Sequence, residues 1–193
     1  MPVLQRLTLC LCVLIMAGCA AMQQEDPTTA DWTAHSKLLE ALQQWTAQGK
    51  LAVRTADASE SASMVWQQEH DNTQLQLSGP LGVGAVTMVS DGEQLNIQQG
   101  GEHFTLDIST PEAIYTNTGW DIPLQALAHW LKGVPAPRSK AQQLTFDPQS
   151  ALLQTFVQDD WEVRYEKYQQ FQGIALPTRL QVQRGTTRAK VII

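Results

Sequence analysis

The stretch that decides the fold is residues 94–108, which read QLNIQQGGEHFTLDI. Apolar and polar residues alternate at 95–97 and again at 104–108, and the pair Gly100-Gly101 separates the two runs. A period of two is typical of a half-buried β-strand, and a glycine pair between two such runs is typical of a tight turn. The stretch therefore predicts a β-hairpin with one apolar face.

The same alternation extends outward in both directions along the chain. Turn residues such as Asp91-Gly92, 147–150 and 184–186 punctuate it at roughly the 8–12-residue spacing of an antiparallel β protein. We predict eleven strands, at 49–55, 61–69, 73–78, 84–90, 94–99, 103–108, 142–146, 152–157, 161–168, 177–184 and 188–193. A sheet of this length is expected to form a curved sheet or a barrel.

A segment before the first strand has helical spacing instead. Apolar residues recur there at three- and four-residue steps from Trp32 to Trp45. Asp31 is a candidate N-cap, and Gly49 is placed as the terminator. This pattern predicts an amphipathic helix that begins near Asp31.

A second helix is predicted over 121–132, between the sixth and seventh strands. Pro123 lies in its first turn, and Gly133 follows its last residue. The fold class is therefore mainly β with α (α+β), and the two helices can plug or cover the apolar face of the sheet. A cavity for an apolar ligand and a fully packed core both fit this pattern.

Composition narrows the class of protein. The 193 residues include 13 basic and 19 acidic side chains, a net charge of −6, and are 43% hydrophobic and 17% charged. These values favour one globular domain and disfavour intrinsic disorder or a nucleic-acid-binding surface. The four histidines and the pair Asp159-Asp160 form no metal-ligand or nucleophile motif, so we expect neither an enzyme nor a metal site.

The N-terminus predicts a lipoprotein signal. One basic residue, Arg6, precedes an apolar run at 7–17 that is too short to span a bilayer, which predicts a signal peptide over 1–18. The following sequence, IMAGC at 15–19, is similar to the lipobox of bacterial lipoproteins, whose cysteine is acylated. We expect a diacylglycerol and an N-acyl chain on Cys19, and no other cofactor. An ordinary signal peptide that leaves Cys19 as a free thiol is the alternative.

The residues after Cys19 predict location and domain boundaries. Ala20-Ala21 lack the aspartate that typically retains a lipoprotein in the inner membrane, which indicates the outer membrane, with the protein anchored on the periplasmic face. The small and polar composition of 19–30 predicts a flexible tether. Residues 31–193 then form a single domain.

Several short motifs follow one another in a fairly specific order. They are GKLAVR at 49–54, WQQ at 66–68, LSGPLG at 77–82, PL at 123–124, WLKGVP at 130–135, WEVRY at 161–165, LPTRL at 176–180 and KVI at 190–192. Together with the lipobox and the helix that contains Trp32, this order resembles the LolB family of outer-membrane lipoprotein receptors in Gram-negative bacteria. The resemblance runs over nearly the whole chain.

The resemblance implies both a fold and a function. The fold is an incomplete antiparallel β-barrel of about eleven strands with a helical plug around a hydrophobic cavity. The function is to accept triacylated lipoproteins from the periplasmic carrier LolA and to insert them into outer-membrane phospholipid, with the receptor acting as a monomer. Because the sequence contains no Walker motif, transfer is expected to run without nucleotide hydrolysis, from weaker to stronger acyl-chain binding.

The residues expected at the acyl-chain cavity are large and apolar. They are Trp66, Leu127, Trp130, Leu131, Trp161 and Tyr165. Packing in the protein core is the alternative for each of them. A lipocalin-like binder of a small hydrophobic ligand, or an envelope assembly scaffold, is the alternative function.

The segment Pro80-Leu81-Gly82 is expected to form a membrane-insertion loop. Pro and Gly are common in turns, whereas a large aliphatic side chain such as that of Leu81 is not. The resemblance implies that Leu81 is exposed and enters the bilayer during delivery of the cargo. A leucine that folds back onto the core is the alternative.

Overall fold

The computed structural model describes residues 27–82, 84–108 and 122–193. The predicted signal peptide, Cys19 and the first residue of the predicted second helix lie outside the described residues. The elements are, in chain order, α1 (Pro27–Glu40), β1 (Gln44–Arg54), β2 (Ser59–Glu69), β3 (Asn72–Ser78), a 3₁₀ turn (Pro80–Gly82), β4 (Val86–Ser90), β5 (Gln94–Gln99), β6 (Glu102–Asp107), α2 (Leu124–Lys132), β7 (Gln142–Phe146), β8 (Leu153–Gln158), β9 (Trp161–Phe171), β10 (Ile174–Arg184) and β11 (Thr187–Ile192).

The eleven strands form one antiparallel sheet in the order β6-β5-β4-β3-β2-β1-β11-β10-β9-β8-β7. Strand β11 returns to pair with β1, so the first and last strands lie at the centre of the sheet. Strands β6 and β7 are its two edges, which leaves the sheet open. The predicted mainly-β fold with eleven antiparallel strands is confirmed.

The first helix differs from its predicted bounds. It begins at Pro27 and ends at Glu40, so Asp31 lies inside it and does not cap it. Trp45 belongs to β1, where Gln44 already pairs with Glu69 of β2. The three-residue step from Leu42 to Trp45 fits a helix, but Trp45, Ala47 and Leu51 also fit a period of two, and pairing with β2 favours the strand.

Gly49 is a strand residue, and the prediction that it terminates a helix was wrong. It lies within β1, opposite Met64 of β2. A Cβ atom at this position would overlap the carbonyl oxygen of Ile192. The glycine is therefore required by the close approach of two backbones and not by a turn.

The second helix ends at Lys132, where the sequence predicts. Gly133 has a φ of 94°, and its N–H bonds the carbonyl oxygen of Trp130 at 3.0 Å. The N–H of Val134 bonds the carbonyl oxygen of His129, which completes a left-handed helix terminus. Helix α2 therefore stops where the glycine allows the chain to turn toward β7.

The hydrophobic core lies on one face of the sheet, which we call the inner face. Strand residues that point inward alternate with exposed ones, as in β9, where Trp161, Val163 and Tyr165 are buried. Both helices pack on this face and contribute Trp32, Leu39 and most of α2 to the core. All core residues in the part of the chain that the structure describes lie at Trp32 or beyond. Neither helix of the described chain is long and apolar enough to cross a bilayer.

Candidate functional site

A cavity of about 710 Å³ lies on the inner face of strands β1–β6. Nine of its lining residues are apolar: Leu51, Val53, Ala62, Leu77, Val86, Met88, Ile97, Phe104 and Leu106. Phe104 is 47% exposed, so the cavity opens to solvent beside edge strand β6. Its size is within the range of pockets that bind small organic ligands, roughly 300–1,000 Å³.

The strand register produces this apolar lining. Leu77 of β3 pairs with Val86 of β4, so their side chains lie on the same face. Met88 pairs with Ile97, and Ile97 pairs with Phe104. Because every second residue of each strand points inward, the pairs join into one apolar surface across four strands.

Polar residues and a short turn lie along the border of the cavity. Glu60, Ser61 and Gln99 are its polar lining residues. Gly79 and Gly84, on either side of the 3₁₀ turn Pro80–Gly82, also line it. The turn thus lies at the edge of an apolar cavity.

The predicted membrane-insertion loop coincides with this turn. Pro80 and Gly82 are exposed, and the N–H of Gly82 bonds the carbonyl oxygen of Gly79 at 3.0 Å. The side chain of Leu81 is outside what the structure describes. Its entry into a bilayer stays a prediction.

The six residues predicted for the acyl-chain cavity lie elsewhere on the inner face. Trp66 is in β2, Trp161 and Tyr165 are in β9, and Leu127, Trp130 and Leu131 are in α2. Each is at most 6% exposed, and none of them is among the described residues that line the cavity of β1–β6. Whether they contact acyl chains stays a prediction.

Four of the buried aromatic residues form a cluster between α2 and the strands β8 and β9. The ring of Trp130 lies 6.2 Å from that of Trp161 and 6.3 Å from that of Phe156. The hydroxyl of Tyr165 donates to the carbonyl oxygen of Trp130 at 3.0 Å. Burial raises the pKa of Tyr165, which keeps this hydroxyl a neutral donor.

Gln158 positions this region through a buried side chain whose role was not predicted from the sequence. Its side-chain oxygen accepts from Trp130 Nε1 and from the backbone N–H of Ala136, both at 2.9 Å. Its amide nitrogen donates to the carbonyl oxygens of Ala136 and Ser139, both at 2.8 Å. This buried amide fixes the end of α2 and the following chain onto β8.

The other contacts of α2 reach two further parts of the molecule. Gln125 Nε2 donates to the carbonyl oxygen of Gly92 in the β4–β5 turn at 2.5 Å. Lys132 Nζ donates to the carbonyl oxygen of Leu42, just after α1, at 3.3 Å. Helix α2 therefore links the cavity half of the sheet, the aromatic cluster and α1.

Burial lowers the pKa of two ionisable groups of α2, His129 and Lys132. Burial, assisted by the nearby positive charge of Lys132, lowers the pKa of His129 to about 4, although Asp71 opposes the shift. Burial also lowers the pKa of Lys132, and Glu40 opposes that shift. Among the described residues, no group of three or more His, Cys, Asp or Glu side chains could hold a metal ion.

The chain is similar in sequence to known outer-membrane lipoproteins. A family model described as "Outer membrane lipoprotein LolB" matches residues 43–193. The chain is 32% identical to the outer-membrane lipoprotein LolB of Cellvibrio japonicus, over 96% of this chain and 94% of that protein. It is 31% identical to LolB of Tolumonas auensis, over 100% of this chain and 96% of that protein.

Solved structures share the fold at low sequence identity. A LolA-superfamily protein from Nitrosomonas europaea superposes with a TM-score of 0.50 at 12% identity, over 84% of this chain and 89% of that chain. A protein of the DUF1329 family from Desulfovibrio piger also gives a TM-score of 0.50, at 10% identity, over 86% and 90% of the two chains. At such identities the similarity concerns the fold alone.

Proposed function

Because the chain belongs to the LolB family of outer-membrane lipoproteins, we propose that it receives triacylated lipoproteins from the periplasmic carrier LolA and inserts them into the inner leaflet of the outer membrane. The observation that supports this most directly is the open cavity of about 710 Å³ on strands β1–β6. Its apolar lining is the surface that acyl chains require. The receptor acts as a monomer, and no nucleotide is hydrolysed.

Acyl-chain binding in this cavity is favourable but reversible. Each methylene removed from water contributes about 0.8 kcal/mol, so about ten buried methylenes contribute roughly 8 kcal/mol, the binding free energy of a micromolar complex. The cavity opens beside Phe104, and a chain bound there keeps part of its surface in solvent. Binding of this intermediate strength allows the acyl chains to pass onward to the bilayer, where they are buried completely.

The six buried residues predicted for acyl binding are proposed to form a second, deeper part of the acyl-chain site. Trp130 and its neighbours fill the inner face between α2 and β9, next to the half that holds the cavity. An acyl chain reaches the buried residues of α2 and β9 only if α2 moves away from the sheet. We therefore assign first contact with the acyl chains to the lining of β1–β6, and assign the six residues to a deeper part of the same site.

The turn Pro80–Gly82 supports the delivery step. It borders the cavity and two of its residues are exposed, so cargo leaving the cavity passes close to it. We assign Leu81 to insertion into the bilayer. Burying one leucine yields about 1.5–3 kcal/mol, which is small beside an acyl anchor, so its role is in delivery and not in attachment.

The change Leu81→Glu tests this assignment. A carboxylate does not enter the hydrocarbon region, so we expect normal uptake of cargo from LolA and loss of its insertion into liposomes. Insertion at the normal rate by the variant would contradict the role of Leu81. Loss of uptake as well would instead place Leu81 in the binding step.

Attachment to the outer membrane is assigned to acyl groups on Cys19, with the protein on the periplasmic face. Two or more acyl chains hold a protein stably on a bilayer. The change Cys19→Ser removes the only site for them in the predicted mature chain. Radiolabelled palmitate should enter the natural protein and not this variant, and the variant should be recovered in the soluble periplasm.

One transfer experiment tests the whole proposal. Residues 20–193 keep every described residue of the hydrophobic core and lack the acylated cysteine. They are mixed with LolA that carries a radiolabelled triacylated lipoprotein, and liposomes are added afterwards. The label should move first to this protein and then to the liposomes, whereas label that stays on LolA would contradict the proposal.

A small hydrophobic ligand is the alternative occupant, because the cavity volume also suits one. A carrier of this type binds free fatty acids and takes no lipoprotein from LolA. An assembly scaffold binds neither. The same transfer experiment, run beside a fatty-acid binding assay, separates the three functions.

A further inference from the structure

The outer face of the sheet carries a charge opposite to that of the whole chain. Seven cationic side chains point outward from the strands β1, β9, β10 and β11, which we call the basic face: Lys50, Arg54, Arg164, Lys167, Arg179, Arg188 and Lys190. Only two carboxylates, Glu162 and Glu166, share this face. Its formal charge is therefore positive in a protein whose net charge is −6.

Several of these cations lack a compensating charge. Glu166 bonds Lys190 and Glu162 bonds Arg164, both on the β9 side. Lys50, Arg54 and Arg188 form no ion pair with any described residue. Arg188 donates instead to the neutral side-chain oxygen of Gln183.

The register places like charges directly opposite each other at the centre of the sheet. Arg54 of β1 pairs with Arg188 of β11. Like charges across neighbouring strands destabilise a sheet, and nothing on the flanking strand offsets this cost, because the β2 residues opposite Arg54 and Lys50 are the neutral Ser59 and Ser63. An anion that binds here removes the repulsion.

We propose that the basic face binds the headgroups of anionic phospholipids and so holds this face of the protein against the bilayer. The family is one of outer-membrane lipoproteins, so the chain works beside a phospholipid surface. The cations are spread over four strands, with Glu162 and Glu166 as the carboxylates among them, and none of the cations lines the described cavity. A broad array of this kind matches a layer of headgroups better than a single bound molecule.

When the basic face lies against the bilayer, the 3₁₀ turn Pro80–Gly82 also comes close to the membrane. Arg54 and Arg188 lie beside the β1–β2 and β10–β11 connections. The turn Pro80–Gly82 follows β3, whose last residue, Ser78, pairs with Ser63 in the first half of β2. In an antiparallel sheet these three connections lie at one end. Headgroup binding is independent of cargo binding, because the cavity is on the opposite face.

Vesicle sedimentation of residues 20–193 tests the proposal. The natural sequence should bind vesicles of phosphatidylethanolamine and phosphatidylglycerol and should not bind vesicles of phosphatidylethanolamine and phosphatidylcholine. Each basic residue near an anionic surface contributes roughly fivefold to binding, so the triple change Lys50→Glu, Arg54→Glu and Arg188→Glu should weaken it on the order of a hundredfold. Salt that shortens the Debye length to about 3 Å should have a similar effect.

The matched control reverses three exposed charges elsewhere. The changes Lys37→Glu, Arg138→Glu and Lys140→Glu alter the net charge by the same amount, away from the basic face. This variant should bind within a small factor of the natural sequence, and circular dichroism should be unchanged for both variants. An equal loss in both, or equal binding to both vesicle types, would overturn the proposal. An acidic protein as the true occupant would leave vesicle binding unaffected by the Lys50, Arg54 and Arg188 changes, which would also overturn it.

Failure here is distinguishable from failure of the proposed receptor function. Uptake of cargo from LolA in solution involves no membrane, so the variant of the basic face should still accept it. A protein that takes cargo normally but ignores anionic vesicles would overturn only the present inference. A protein that binds anionic vesicles but takes no cargo would overturn only the receptor function.

Discussion

Phe104 and Phe171 are phenylalanines of nearly equal exposure, at 47% and 44%, and only Phe104 lines the cavity. The change Phe104→Glu places a carboxylate at the apolar border, so we expect at least about a tenfold loss of acyl-chain affinity, measured with a fluorescent fatty acid. Because both positions are exposed, the fold should tolerate either change. Phe171→Glu is the matched control, and an equal loss in it would show that the chains bind outside this cavity.

Gln158 shows how one buried amide positions a helix. The change Gln158→Leu keeps the volume but leaves Trp130 Nε1, the N–H of Ala136 and two carbonyl oxygens without this partner. Each buried polar group left unpaired costs about 1–3 kcal/mol, so the loss of four partners should lower the free energy of unfolding by at least about 4 kcal/mol in urea denaturation. Gln154→Leu, at an exposed position of the same strand, should change it by less than about 0.5 kcal/mol. Similar values for the two variants would mean that water replaces the lost bonds.

Helix α2 makes the stability of the protein depend on pH through His129. The folded pKa is about 4, below the ordinary value of 6.5, so the unfolded chain binds the proton more readily. Stability is therefore full above pH 6.5 and falls as the pH drops from 6.5 to about 4. The loss should be about 1–2 kcal/mol, because partial solvation reduces the effect of the pKa difference.

Urea unfolding at a series of pH values isolates this contribution. His129→Gln removes the titrating group, so the difference between the natural protein and the variant should change over this pH range. His70→Gln, at an exposed turn position, is the control and should follow the natural protein. Parallel curves for natural protein and His129→Gln would show that another group, such as the half-buried His35, causes the dependence.

The elements also show what sequence alone could predict. The strands at 94–99 and 142–146 coincide with β5 and β7, because turn residues and alternation are local signals. The predicted end of the first helix was wrong, because Trp45 pairs with Gln68 of a strand more than twenty residues away in the sequence. The role of Gln158 could not be predicted for the same reason, since Trp130 is 28 positions distant. The position of the cavity depends on which half of the inner face the helices cover. No local sequence pattern indicates this.

At the scale of the whole molecule, the inner face is filled unevenly. Helix α2 and the aromatic cluster cover β8 and β9, whereas the inner face of β1–β6 carries the open cavity. Strands with fewer buried contacts open more readily, and sheet edges open most readily of all. The apolar surface that is least supported by packing is thus the one placed to bind acyl chains.

Hydrogen exchange can measure this difference in packing between the two halves of the inner face. Amides of β1, β10 and β11, at the centre of the sheet, should exchange slowest, and those of edge strand β6 fastest among the strands around the cavity. A bound acyl chain supplies the missing contacts, so it should slow exchange in β3–β6 of the natural protein and leave the Phe104→Glu variant unchanged. Slower exchange confined to α2 and β9 would instead show that acyl chains bind among Trp130, Trp161 and Tyr165, after movement of the helix. The two patterns are mutually exclusive for a first contact, so one exchange map decides between the cavity lining and the six buried residues.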